Sequence, residues 1–187
     1  MENRIIPFRN LVQERRSIRS FSEIPVEREK VMLCLEAARM APSADNAQPW
    51  RFLVIDDPDV KSQFSKEVFS GIYFVTRFAA KAPVLILIMA RLNFVAHKLA
   101  KQIQDIRFQF LDIGIAGEHI VLQAQDLGLG SCWIGWFDTR KARKYFQIPK
   151  SYKIMALIAL GYAEKKPEKP KKRKSLEEIV WFNKPNR

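Results

Sequence analysis

Cationic and hydroxyl side chains are concentrated near the amino end of the sequence. Three arginines and two serines fall within residues 15–21, RRSIRSF. Guanidinium groups bind phosphate through paired hydrogen bonds, and hydroxyl groups supply further donors, so this pattern favours an anion-binding loop. A solvated, charged helix end would show the same residue types, and the sequence leaves both interpretations open.

A second polar segment, residues 42–50, has the sequence PSADNAQPW. Its amide side chains can both donate and accept hydrogen bonds, which suits the polar edge of a heterocycle. An Asn/Asp turn between a helix and a strand has a similar composition. The length of the segment and its two prolines favour a stiff loop with a binding role.

The stretch LGLGSCWIG, at 127–135, holds three of the seven glycines in the chain. Glycine allows positive φ and lets another group approach the backbone closely. This composition predicts backbone shaped to lie against a flat surface. The residues alone do not decide whether that surface belongs to a cofactor or to a neighbouring helix.

The sequence shows no recognisable set of catalytic or metal-binding side chains beside these segments. The sequence has no catalytic triad, no Walker loop and no GxGxxG motif. His97 and His119 lack a spaced Cys or His companion, so no metal site is predicted. An enzyme built from this sequence must obtain its chemistry from a bound cofactor, and no catalytic side chain is predicted.

The net charge and composition of the sequence limit which ligands, macromolecules and cellular compartments are expected for the protein. The net charge is +12, which suits solubility, phosphate-bearing ligands or nucleic acid. Nucleic acid is disfavoured because no aromatic residues interleave with the basic run near 165–174. The longest apolar stretch, 83–90, is too short for a membrane span. With only Cys34 and Cys132, and no secretory signal at the first residues, we expect a reducing cytoplasm.

Apolar spacing and capping signals place these segments on a framework of helices and strands. Helices are predicted over 26–40, about 57–69, 106–127 and 138–146, and strands over 51–55, 84–89 and 153–161. The helix 106–127 is apolar on most sides, which is typical of a central helix or one shared with another subunit. Residues 127–135 are expected to form a loop, and 91–107 either a mobile lid or a helical excursion.

This order of elements predicts one domain over residues 1–187, without a linker or an internal repeat. The alternation of helices with three apolar strands indicates an α+β or α/β sandwich around a small sheet. Ser175, followed by two acids, predicts a further helix start near the carboxyl end.

Four segments taken together resemble the FMN-dependent nitroreductase family. They occur in the family's order and at matching spacing: RRSIRSF at 15–21, APSADNAQPWRF at 41–52, LGLGSCWIGWFD at 127–138 and ALGYAEKKPEKPKKRKSLEEIV at 159–180. The resemblance implies an α+β fold, a three-layer α/β/α sandwich around a small mixed, mainly antiparallel sheet. It also implies a homodimer with the long helix at the interface and FMN bound between the subunits.

The same resemblance assigns ligands to the phosphate end of FMN. Arg15 and Ser17 correspond to residues at the phosphate and ribityl chain, and Arg16 belongs to the same loop. Lys171 and Arg173 correspond to the family's late basic residues at the phosphate. Ser175 stands where the family often has a proline, which leaves the phosphate ligand undecided within 171–174.

Other residues correspond to the ring. Arg19 matches a cation near the N1–C2 edge. Ile134 and Gly135 match backbone beside the reactive edge, with the Gly135 amide facing N5. A loop that packs on the flavin from the partner subunit is matched by Pro42, Ser43, Asn46 and Gln48.

The activity implied is hydride transfer from NAD(P)H and reduction of an electron-poor small molecule, such as a nitroaromatic or quinone, by ping-pong turnover. A flavin-binding storage or sensor protein without turnover is the main alternative, and a basic nucleic-acid-binding protein is a weaker one. The sequence does not decide between NADH and NADPH or name the oxidant.

Overall fold

A four-stranded sheet forms the centre of the computed structural model, which describes residues 8–91, 107–165, 167 and 171–185. Within these residues the strands are β1 (Trp50–Ile55), β2 (Val84–Arg91), β3 (Gly130–Ile134) and β4 (Tyr152–Gly161). Their order across the sheet is β1-β2-β4-β3, and each pairing is antiparallel. A parallel pairing also occurs, at an isolated bridge between Ser17, which is outside these strands, and Ser131 of β3.

Strand β2 shows why the sheet is covered on both sides. Its side chains alternate between two hydrophobic clusters, as the two-residue period of a strand requires. Leu85 and Leu87 belong to one cluster, and Ile86 and Ile88 to the other. A continuous apolar run is therefore the pattern expected for a strand between two helical layers.

Helices and 3-10 segments surround the sheet. The helices are α1 (Phe8–Glu14), α2 (Arg28–Arg39), α3 (Pro58–Val68), α4 (Phe108–Asp126), α5 (Thr139–Tyr145) and α6 (Leu176–Ile179), and the 3-10 segments are Ala44–Asn46 and Gly71–Lys81. Helices α2 and α4 contribute to the cluster on one face. Helices α3 and α5 contribute to the other. The result is the predicted three-layer α+β sandwich.

The predicted capping residues are confirmed. The side chain of Asp57 accepts hydrogen bonds from the amides of Asp59 and Val60 at the start of α3. Asp138 does the same for Arg140 and Lys141 in α5. Each carboxylate satisfies amides that have no partner within the helix, which fixes where the helix begins.

Ser175 is confirmed as the start of another helix. Its backbone amide donates to the Glu178 carboxylate, completing a capping box at α6. This arrangement satisfies free amides at both ends of the first turn.

One sequence expectation is wrong. Residues 127–135 were expected to form a loop, whereas Gly130–Ile134 forms edge strand β3, paired with β4. Pairing supplies the stability that glycine-rich backbone lacks by itself. The lid hypothesis for 91–107 concerns residues that, apart from Arg91 and Arg107, lie outside the described part of the chain.

The long helix α4 is confirmed close to its predicted bounds. One side of it packs on the sheet through buried residues such as Ile120 and Val121. The opposite side keeps Phe110, Leu111 and Ile115 exposed. No helix within the described ranges combines the length and apolar character that crossing a membrane requires.

Candidate functional site

The segment 15–19 runs along the start of β3. Ser17 forms the bridge with Ser131, and the amide of Ile18 donates to the Ser131 carbonyl at 2.9 Å. Gly130 makes this approach possible, because a Cβ there would lie 2.7 Å from Cγ1 of Ile18. Close backbone contact with the sheet therefore holds the arginine-rich segment in place.

Six of the residues predicted to bind a ligand line one pocket of about 210 Å³. The lining consists of Arg15, Arg16, Ser17, Arg19, Pro167, Lys171 and Arg173. Among the described residues, the lining contains five cationic side chains and one hydroxyl, and no carboxylate. The structure thus brings the amino-terminal segment and the late basic residues together, although they are separated by most of the chain.

Electrostatic crowding is evident at Lys171. Its ammonium donates to the Val12 carbonyl at 2.7 Å. Partial burial lowers the pKa of Lys171, and the positive charges of Arg15, Arg16 and Arg173 lower it further. Like charges disfavour the protonated form of a lysine, so an anion bound among these groups would be stabilised.

Arg15 has one carboxylate nearby. Its Nε lies 3.7 Å from Oε1 of Glu118 on α4. The Glu118 side chain is about half exposed, so solvent screens this pair and the attraction is modest. The cluster therefore retains a strongly positive character.

Arg19 lines the pocket and also contacts an aromatic ring. Its guanidinium carbon lies 5.8 Å from the ring centroid of Phe78. Phe78 belongs to the 3-10 segment Gly71–Lys81 and packs against the core. A cation held over an aromatic face keeps its charge while losing freedom of movement.

Strand β3 starts beside this cluster, and at its far end the backbone changes from buried to exposed. Ile134 is buried, whereas Gly135 is exposed. Apart from the two neighbouring residues in the chain, no described atom lies within 4 Å of the position that a Cβ at Gly135 would occupy. The peptide at Gly135 is accessible to a ligand that approaches the end of the strand.

Loop 42–48 adopts an unusual backbone. Asp45, Asn46 and Gln48 have φ values of 51°, 52° and 44°. Asn and Asp tolerate this left-handed region more readily than other residues with side chains, and such strain is often found at binding sites.

Two contacts fix that strained loop. The backbone amide of Gln48 donates to Ser43 Oγ at 3.0 Å, and the backbone amide of Ala44 donates to Oδ1 of Asp112 at 3.0 Å. Asp112 is a buried residue of α4. The loop is therefore anchored on the same helix that presents the exposed apolar side.

The structure does not bring this loop into the basic pocket of its own chain. Pro42, Ser43, Asn46 and Gln48 are absent from the residues that line it. Pro42, Asn46 and Gln48 are exposed, and Ser43 is partly so. The prediction that these residues act from a partner subunit remains a prediction.

A larger cavity, of about 860 Å³, lies elsewhere, between the 21–26 linker and the start of α3. Its charged lining comprises Glu23, Asp56, Glu164, Lys61 and Lys81. Three carboxylates against two ammonium groups do not favour a phosphate. The smaller basic pocket is the better candidate for an anionic ligand.

Sequence reasoning missed the contribution of 71–81. This segment places Phe78 under Arg19, and Thr76 Oγ1 donates to the Trp136 carbonyl at 2.6 Å. The available signal was the three-residue spacing of Tyr73, Thr76 and Ala79, which matches the period of a 3-10 helix.

Comparison with known proteins agrees with this geometry. The model of the Nitroreductase family matches residues 12–162. An NADH dehydrogenase of Thermus thermophilus is 30% identical, with 90% of this chain and 92% of that protein covered.

Two solved structures from Clostridium difficile have the same fold. A nitroreductase family protein superposes with a TM-score of 0.79 at 28% identity, covering 96% of this chain and 99% of the other. An FMN-dependent nitroreductase superposes with a TM-score of 0.72 at 31% identity, covering 93% and 98%. With most of its length matched by the family model, and with the fold and basic pocket described above, the chain belongs to the nitroreductase family.

Proposed function

We propose that this protein is an FMN-dependent oxidoreductase that accepts hydride from NADH or NADPH. It passes the electrons to an electron-poor small molecule, such as a nitroaromatic or a quinone. The observation that carries the proposal is the pocket whose described lining has five cations and no carboxylate, formed by a segment that pairs with β3, the strand that ends at the exposed Gly135. The Clostridium difficile relative described as FMN-dependent supports the choice of flavin.

The pocket fits the phosphate end of FMN. A phosphate monoester carries about 1.5 to 2 negative charges at neutral pH. Arg15, Lys171 and Arg173 would neutralise it, while Ser17 donates a hydrogen bond and Arg16 adds to the positive potential. Relief of the repulsion felt by Lys171 favours this binding.

Different residues would contact the flavin ring of FMN. When bound, FMN supplies hydride acceptance and donation at N5, so no side chain is required as acid or base. Arg19 would stabilise the negative charge that develops at the N1–C2 edge on reduction. The Gly135 amide would donate toward N5, and Ile134 would support that backbone from the buried side.

The open space at Gly135 would leave the reactive edge of a bound ring accessible. The nicotinamide and the oxidant would use this space in turn, which corresponds to ping-pong turnover. Neither partner needs a deep pocket of its own for this order of events.

We also propose a homodimer with FMN at its interface. The exposed side of α4, formed by Phe110, Leu111 and Ile115, is apolar and unsuited to water. Loop 42–48, anchored to α4 by Asp112, would extend from that interface onto the flavin of the second copy. Pro42, Ser43, Asn46 and Gln48 would contact the ring in this way.

A cytoplasmic location is proposed from the cysteines. Cys34 and Cys132 are both free and buried. Burial raises the pKa of Cys34 to about 12, which keeps it a thiol. Two unpaired thiols suit a reducing compartment.

The decisive experiment combines flavin content with anaerobic reduction. We expect purified protein to be yellow with about one FMN per subunit, and NADH or NADPH to bleach the flavin band when oxygen is excluded. Colourless protein that does not take up added FMN would disprove the proposal. Bound flavin that neither nucleotide reduces would instead indicate a storage or sensor protein.

A further inference from the structure

The peptide at Gly135 is held through the residue that follows it. Trp136 makes two hydrogen bonds to the 3-10 segment: its carbonyl accepts from Thr76 Oγ1 at 2.6 Å, and its indole Nε1 donates to the Ile72 carbonyl at 3.0 Å. Its ring also lies against Tyr73, with centroids 5.3 Å apart. Main chain and side chain of Trp136 are therefore both fixed to one segment.

The geometry of a 3-10 helix accounts for this arrangement. Side chains three residues apart eclipse one another, so Tyr73 and Thr76 project from the same face. The Thr76 hydroxyl lies 2.9 Å from the Tyr73 carbonyl and 2.6 Å from the Trp136 carbonyl. Its single proton is within reach of both acceptors, and the shorter contact is with Trp136.

Burial alone does not explain these contacts. Trp136 is 52% exposed, yet its carbonyl and indole N–H both have partners. On either side of the Gly135–Trp136 pair, Ile134 and Phe137 are buried. Gly135 has no side chain with which to fix its own orientation, so its neighbours must determine where its N–H points.

We propose that Thr76 and Trp136 are positioning residues, which together aim the Gly135 N–H at the flavin N5. This inference rests on the proposed function. The hydroxyl of Thr76 holds the carbonyl of Trp136, and the indole bond to Ile72 holds its side chain, so the residue after Gly135 is fixed at two points. Neither residue lines the basic pocket, and in this role both would act through Gly135, which lies between the end of β3 and Trp136.

The test uses single and double substitutions in the flavin-loaded protein. Thr76→Val removes the hydroxyl while keeping the shape, and Thr76→Ser restores a hydroxyl. Trp136→Phe keeps an aromatic ring beside Tyr73 and removes the indole N–H. Tyr145→Phe is a matched control, because Tyr145 donates to the Val60 carbonyl from α5, away from the basic pocket.

The measurement is anaerobic flavin reduction at several NADH and NADPH concentrations, together with FMN affinity. We expect Thr76→Val and Trp136→Phe each to lower the limiting rate about three- to tenfold, the range for losing one hydrogen bond. When two residues act as one unit, the effects of their substitutions do not add. The variant with both substitutions should therefore have about the same limiting rate as the slower of the two single variants. FMN affinity and the nucleotide concentration for half-maximal rate should stay within about twofold.

Rescue by Thr76→Ser and an unchanged Tyr145→Phe rate would support the positioning role. Unchanged limiting rates in both Thr76→Val and Trp136→Phe would overturn it. So would rates that fall only in proportion to FMN affinity, since that would indicate a structural effect. A wild-type protein that binds no flavin or cannot be reduced would overturn the proposed function as well, whereas variants as fast as an active wild type would overturn this inference alone.

Discussion

Lys171 gives the site a pH dependence of its own. Its ammonium is partly buried near three arginines, which lowers its pKa from the ordinary 10.5. A bound phosphate favours the protonated form, so binding should be strongest where Lys171 is charged. We expect FMN affinity to fall as pH rises through the lowered pKa, in the alkaline range below 10.5, with proton uptake accompanying binding there.

Titration of apoprotein with FMN across this range, and calorimetry in buffers of different ionisation enthalpy, would measure both effects. Lys171→Arg is the control, because arginine stays charged throughout and leaves only the flavin's own titration. An identical pH profile in the wild type and in Lys171→Arg would show that Lys171 does not meet the phosphate.

Arg15 and Arg173 are expected to contribute directly to phosphate binding. Arg15→Ala and Arg173→Ala should each weaken FMN binding by about tenfold or more, since a charge-assisted hydrogen bond contributes about 1.5–3 kcal/mol. Arg140→Ala, on the exposed side of α5, should leave the affinity unchanged. Fluorescence titration of apoprotein would measure this, and an unchanged affinity in both pocket variants would mean that the phosphate lies elsewhere.

At the scale of elements, helix α4 and strand β3 meet through a glycine. A Cβ on Gly117 would collide with the Trp133 indole. Gly117→Ala should therefore destabilise the protein by about 1–3 kcal/mol through overpacking, although alanine improves helix propensity by up to about 1 kcal/mol.

Chemical denaturation at fixed protein concentration would measure the loss in Gly117→Ala. Adding Trp133→Phe should recover part of it, because the smaller ring vacates the space that the new Cβ needs. No loss in the single variant would mean that α4 and β3 can separate without cost. The contact with Trp133 also explains why a glycine stands in the middle of α4.

The elements that could be predicted were those with a strong local signal. Asp57 and Asp138 cap helices, and the apolar run 84–89 forms β2, because these effects depend on neighbouring residues in the sequence. Strand β3 is not predicted because it lies in a glycine-rich stretch, glycine is a poor strand former, and the strand depends on pairing with β4. The 71–81 segment went unassigned because a three-residue period is rare over such a length.

In the candidate site, too, the residues with a local sequence signal could be predicted, and those that depend on distant contacts could not. The residue types at 15–19 and 171–173 indicated an anion, and the structure places them around one pocket. The left-handed backbone of Gln48 carried no signal, since glutamine is not typical of that region. Trp136 was passed over because its role depends on a contact with Ile72, which lies 64 residues away in the sequence.

On the scale of the whole molecule, one chain holds only part of the proposed flavin site. The basic pocket and Gly135 belong to one copy, while loop 42–48 lies outside that pocket. The exposed apolar side of α4, with Leu111 56% exposed, is the surface on which a second copy would complete the site. Dimerisation and flavin retention should therefore be coupled.

Leu111→Glu tests that coupling. A carboxylate buried without a partner is strongly disfavoured, so the variant should elute as a monomer in size-exclusion chromatography with light scattering and should release FMN. Val60→Glu, on α3 in the opposite helical layer, adds the same charge and should leave the dimer yellow. A Leu111→Glu monomer that retains all its flavin would contradict the interface site, because the basic pocket would then be sufficient without loop 42–48 of a partner.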